Sequence, residues 1–205
     1  MPRVVELARF GTSEAYQKDT SIIKPALEFL SKVKGCNEIF HGLKAEDPNI
    51  MFLIIVWDSV EIHHVFMNNK ELAGKVGQLL ASSITEFKPP LLHAAFSPDS
   101  LSPFRAPITE FAYSSVKPEL IGNVDIKEVG SRLQVVVDKR LADNQSAALG
   151  RTLEDDSLTV GILGWDSVQA HIEWATKDPI GSDVVGKFGE VSKIVCEHVA
   201  LKKFS

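Results

Sequence analysis

The chain carries an inexact copy of itself. Trp57-Asp58-Ser59-Val60-Glu61-Ile62-His63 returns 108 positions later as Trp165-Asp166-Ser167-Val168-Gln169-Ala170-His171. The same offset lays Gly42 on Gly150, Glu46 on Glu154, Asp47 on Asp155 and Ile54 on Ile162 without a gap. Solenoid repeats have periods of about 20–50 residues. A period this long is that of a small domain, so the 205 residues read as two copies of one fold joined head to tail. Each copy is large enough to bury its own core.

The joint falls in Ser97-Pro98-Asp99-Ser100-Leu101-Ser102-Pro103-Phe104-Arg105-Ala106-Pro107, where proline and serine suit neither a helix nor a central strand. The expected domains are 1–97 and 108–205, with 98–107 as an extended surface linker. Within the first copy, Val4 to Phe10 is β-branched and apolar. Ser21 to Lys34 spaces Ile22, Ile23, Ala26, Leu27, Leu30 and Val33 as a helix does, with Pro25 in its first turn and Gly35 as its C-terminal cap. A weaker strand at Asn37 to Lys44 and a turn at Ala45 to Asn49 precede a buried strand, Ile50 to Trp57. A helix then starts at Asp58 or Ser59. Asp58 with Glu61, and Asp166 with Gln169, have capping-box spacing, which makes the aspartates the expected caps. A helical piece over 72–83 and a last strand over 84–96, broken by Pro89-Pro90, complete the copy.

The second copy repeats the order. Strands are expected at 108–116, 146–152, 158–165 and 193–201, and helices at 124–141, from Ser167 and from about Ile180. Ile126, Val129, Leu133 and Val136 or Val137 form the inward face of the long helix. The sum is an α+β chain of two tandem ferredoxin-like (β-α-β-β-α-β) domains. A four-stranded sheet with helices on one face leaves its other face bare. The two sheets are therefore expected to pack together as an intramolecular pseudo-dimer.

Composition narrows the function classes. A net charge of −5 without a basic block argues against nucleic acid, which calls for clustered Lys and Arg. No apolar run has the length of a membrane span, and the first residues lack the apolar core of a secretory signal. Cys36 and Cys196 do not correspond in the repeat, and both read as reduced thiols of a cytoplasmic protein. There is no P-loop, dinucleotide fingerprint or nucleophile elbow. The six histidines form no paired metal-binding spacing, so neither metal nor cofactor is expected.

His63 and His171 are the candidate catalytic bases. Each lies early in a helix, where the positive end of the dipole favours the neutral imidazole. The plainer role for both is a side chain held by local hydrogen bonds. Trp57 and Trp165 end buried strands and are either pocket walls or core. Phe66 and Trp174 follow on the next helix. Tyr113, in the first strand of the second copy, could face a ligand. His64 and His41 correspond to Ile172 and Leu149, which suggests half-buried faces. His93 falls opposite Leu201, and His198 opposite Pro90.

The element order with Trp-Asp-Ser-Val-x-x-His at the strand-to-helix junction resembles the dimeric α/β-barrel superfamily. Within it the chain is most similar to antibiotic-biosynthesis-monooxygenase domains in the tandem form found in fungi. That resemblance covers the whole chain and implies a small-molecule pocket. The reaction would be that of a cofactor-independent monooxygenase or a cyclase, on an aromatic or polyketide-like compound. Haem-degrading relatives carry their iron-ligating histidine further along the helix, where this chain has Met67 and Ala175, so the resemblance does not extend to haem. The alternative is a non-enzymatic ligand-binding or assembly protein. The expected partners are a small-molecule ligand and, in a further homodimer, a second copy of the chain, with no nucleic acid and no membrane.

Overall fold

A computed structural model of the chain describes residues 3–97, 101–120 and 126–205, with 126–129, 184, 185 and 187–189 described in backbone only. In chain order the elements are β1 (Val4–Thr12), α1 (Glu14–Lys18), α2 (Lys24–Leu30), β2 (Cys36–Leu43), β3 (Ile50–Trp57), α3 (Val60–Asn68), α4 (Lys70–Leu80) and β4 (Ile84–Ser97). The second half continues with β5 (Ile108–Val116), α5 (Ile126–Ala142), β6 (Ala147–Thr152), β7 (Leu158–Trp165), α6 (Val168–Lys177), α7 (Pro179–Val191), β8 (Ser192–Val199) and β9 (Lys202–Lys203). The chain divides into two compact units, Met1–Ala95 with Leu201–Ser205, and Phe96–Ala200.

In the first unit the sheet order is β4-β1-β3-β2-β9, and in the second β8-β5-β7-β6. Among the described residues, the pairings within each are antiparallel. Leaving aside β9, both units have the ferredoxin-like order, and both are β-α-β-β-α-β along the chain. Strand β3 is eight apolar residues because both its faces are buried. Leu53, Ile55 and Trp57 face the helices and pack with Ala26, Leu27 and Leu30 of α2 and Phe66 of α3. In the second unit Ala112, Leu163 and Trp165 pack with Val136 and Val137 of α5.

Several local expectations change. A short helix, α1, forms where none was read: the Ser13 hydroxyl caps it by accepting from the Tyr16 amide, and Tyr16 is wholly buried. The helix expected over 21–34 is a 3-10 turn at Thr20–Ile23 running into α2, which stops at Leu30. Pro25 does sit in its first turn. Gly35 ends the following turn with a φ of 85° and would drive a Cβ into Ile62. Helices α3 and α6 are capped by Ser59 and Ser167, whose hydroxyls accept from the Ile62 and Ala170 amides. Asp58 instead accepts from the Asn37 side chain, so neither aspartate is the cap.

Pro89-Pro90 does not end β4. The register passes from Leu7↔Leu92 to Arg9↔Lys88, so the prolines occupy a bulge where no ladder donor is required. Of the expected linker, 98–100 lie outside the described residues. The rest is not an extended surface strand: Ser102–Arg105 is a 3-10 turn with Leu101, Pro103 and Phe104 buried. The side chains of Ile126 and Val129 lie outside those described, while Leu133, Val136 and Val137 point inward as expected.

Candidate functional site

In an antiparallel sheet, residues directly opposite on neighbouring strands share a face. Glu6 of β1 lies opposite His93 of β4, and Glu110 of β5 lies opposite His198 of β8. Over each pair a helix supplies a third group. The serine caps start α3 and α6 so that His63 and His171 fall in the first turn, above the strand pair. The tryptophan that ends β3 or β7 supplies the fourth.

The result is one hydrogen-bonded chain, built twice. Trp57 Nε1 donates to Glu6 Oε2 at 2.7 Å. The same carboxylate oxygen is 3.4 Å from His63 Nε2, and His63 Nδ1 is 2.7 Å from His93 Nε2. In the second unit the corresponding distances are 2.7 Å from Trp165 to Glu110, 3.6 Å from Glu110 to His171 and 2.8 Å from His171 to His198. The indole and imidazole centroids are 5.0 Å apart for Trp57 and His63, and 4.9 Å for Trp165 and His171. Glu6, His63, His93, Glu110 and His198 are buried, and His171 is half-buried.

Burial governs the charges in the first unit. It raises Glu6 to about 7, against the lowering effect of the Trp57 hydrogen bond. It also lowers His63 to about 4, with the neighbouring His93 and His64 acting the same way. Both directions disfavour a fixed ion pair: burial favours the neutral imidazole and holds the carboxyl well above its ordinary range.

A cavity of about 370 Å³ opens on this chain in the first unit. Its floor is Glu6, Ala8, Leu53 and Ile55, its walls come from α3, α4 and β4, and among the described residues Glu6 and His63 are its only ionisable lining groups. Phe66 lines it too and stacks on Trp57 at 5.7 Å between centroids. Trp174 lies at the same 5.7 Å from Trp165, but tilted at 54° rather than stacked.

Tyr113 does not join the site. Strand residues alternate between faces, so it lies opposite in sense to Glu110 and stacks on Phe111 instead. His64 is exposed rather than half-buried. His41 is buried, bonded through Nδ1 to the Tyr16 hydroxyl at 2.7 Å.

Sequence reasoning passed over Glu6, Glu110 and the pairing of His93 with His198. The copies do not keep one offset: it is 108 at the histidines of the junction, 104 for Glu6 and Glu110, and 105 for His93 and His198. A gapped comparison of the first strands would have aligned Glu6-Leu7-Ala8 with Glu110-Phe111-Ala112.

The copies differ in charge beneath the tryptophan. Ala26 and Leu27 in α2, and Val136 and Val137 in α5, pack in the same way beneath their tryptophans. Three residues further on stand Leu30 and Arg140. The Arg140 guanidinium lies 3.7 Å from the Trp165 ring centroid and donates to the Gly164 carbonyl. Its Nε is buried without a hydrogen-bond partner.

No family model matches the sequence, and no curated protein does. Among solved structures the chain is similar to a candidate monooxygenase from Lactobacillus acidophilus. The TM-score is 0.66 at 10% identity, over 100% of this chain and 97% of that one. It is similar to an anthrone oxidase-like protein with a TM-score of 0.66 at 16% identity, over 99% and 94%. A candidate monooxygenase from Fusobacterium nucleatum gives 0.65 at 10% identity, over 98% and 94%. The chain shares their fold. At these identities the likeness is one of architecture. Among the described residues, no helix is long and apolar enough to cross a membrane.

Proposed function

We propose that this chain is a small-molecule pocket protein that removes a proton from an aromatic or polyketide-like ligand, as a cofactor-independent monooxygenase or a cyclase does. The observation that carries this reading is the apolar cavity whose only ionisable lining groups, among the described residues, are Glu6 and His63. Its volume is in the range of small-ligand sites. A base poised near neutrality serves proton abstraction best, and Glu6, raised to about 7 by burial, meets that condition better than His63, lowered to about 4. His63 has partners on both ring nitrogens, so the proton enters at the carboxylate and His63 with His93 spreads the charge behind it. Fold likeness to an anthrone oxidase-like protein supports the choice of an aromatic ketone with an acidic methylene as the first ligand to try.

The chemistry balances with dioxygen alone. Loss of a proton from the ring methylene gives a carbanion. That carbanion passes an electron to dioxygen, and the two radicals join as a peroxide anion. The anion takes up a proton, and the hydroperoxide loses water to leave a carbonyl: one dioxygen is consumed, and one water is formed for each methylene oxidised. The test is oxygen uptake with anthrone as probe. Wild type should consume oxygen at least tenfold faster than Glu6→Gln and His63→Ala at equal folded concentration; equal rates would sink the reading.

The second reading is a ligand carrier, favoured by the engagement of both His63 nitrogens. It predicts that anthrone raises the melting temperature with no oxygen uptake in any variant.

A further inference from the structure

We propose that each unit binds a divalent transition-metal ion, Zn2+ or Fe2+, through two histidines and one carboxylate: Glu6, His63 and His93 in the first, Glu110, His171 and His198 in the second. This goes beyond the acid–base reading and does not need it.

The first ground is geometry. In each set one donor atom from every residue lies within 4.8 Å of the other two. The donors come from three separate elements, two strands and a helix, all held by packing and by backbone ladders. Two imidazole nitrogens and a carboxylate oxygen are the donors of open catalytic zinc sites and of the facial triad that holds non-haem iron. Such a site keeps coordination positions for water or substrate, and in the first unit two of the three ligands, Glu6 and His63, line the cavity. The ion displaces the proton between His63 Nδ1 and His93 Nε2. Nitrogens at about 2.0–2.1 Å from a tetrahedral ion stand somewhat more than 3 Å apart. The present 2.7 Å must therefore open by roughly half an ångström, and the Glu6 carboxylate, now beside His63 Nε2, must move toward the ion.

The second ground is orientation. A coordinating group is commonly fixed by a further hydrogen bond behind it. Trp57 and Trp165 each donate an indole N–H to the carboxylate at 2.7 Å, leaving the rest of the carboxylate to an ion.

The third ground is the duplication. Elsewhere the copies have drifted: Phe66 against Trp174, His64 against Ile172, Leu30 against Arg140. The Glu–His–His set is rebuilt in both, although the offset between copies differs for all three members. A packing role alone would be met by many residue types at these positions. The two sites are not equal, because the Arg140 guanidinium lies within electrostatic reach of Glu110 and repels a dication. The first unit should bind more tightly.

The experiment is calorimetric titration of the full chain, stripped with a chelator, with Zn2+. A second titration with Co2+ is followed by visible absorption. The expected result is two ions per chain, the first tighter, with a melting temperature raised by several degrees. His93→Gln should lose the tighter site, His198→Gln the weaker, and the double variant both. Glu6→Gln keeps the shape of the carboxylate and an acceptor for Trp57, and should weaken the first site at least tenfold while the fold is kept. No heat and no visible band with the stripped wild type would overturn the proposal, as would two ions still bound by the double variant. With oxygen uptake also measured on the stripped chain, failure there and failure to bind metal are separate results.

Discussion

Trp57 ends strand β3 and donates its indole N–H to Glu6 on the neighbouring strand β1. Trp57→Phe keeps most of the packing and removes only that donor. A buried carboxylate losing its hydrogen bond costs about 1–3 kcal/mol. Urea unfolding should show a loss in that range with an unchanged m-value, while Trp57→Phe combined with Glu6→Gln should lose less than the two single changes added together.

Phe66 forms both a wall of the cavity and the stack on Trp57. Phe66→Ala should destabilise the chain by about 3–5 kcal/mol, measured by denaturant unfolding. Phe66→Leu should cost much less.

Arg140 takes the place that Leu30 holds in the first copy. A buried cation with an unpartnered Nε is expensive, and replacement of buried charge by apolar side chains is often neutral or stabilising. Arg140→Leu is therefore expected to leave the melting temperature unchanged or raise it, whereas Arg140→Ala lowers it by leaving a void against the Trp165 ring.

His41 gives a pH dependence. Burial, helped by Lys202, lowers it to about 4, while in the unfolded chain it titrates near about 6.5. Between these values the unfolded state binds the proton and the folded state does not. Stability is then greatest above about 6.5 and falls as the pH drops toward 4. His41→Phe should flatten that part of the stability profile, read from melting temperatures across the window.

Gly74 lies exposed in the interior of α4, and a Cβ there meets nothing within 4 Å. Gly74→Ala should stabilise by about 0.5–1 kcal/mol. Gly164→Ala should do the opposite, since its Cβ would strike Ser146 and Ala106.

The sequence showed the fold well and the site in part. Strand β3 and its copy announce themselves as apolar runs buried on both faces, and the junction motif fixes the helix that carries His63. Glu6 and His93 were hidden for a physical reason. They meet across strands from opposite ends of the first copy, and a cross-strand neighbour leaves no spacing for a linear pattern to detect. Insertions in turns then shifted the strand ends between the copies, so the one offset that holds at the junction pairs His93 with Leu201. Tyr113 was misplaced because alternation, decided by the register of β5, sends it away from Glu110. The serine caps were missed because Asp58 and Ser59 are both good caps, and only the backbone turn decides which hydroxyl or carboxylate reaches the free amides.

Strand β9 belongs to the first unit, where Lys202 and Lys203 pair with His41 and Phe40. The second unit lies between β2 and β9 in the chain, so during synthesis the β2 edge at Phe40 and His41 stays open to other strands until that whole unit has been made.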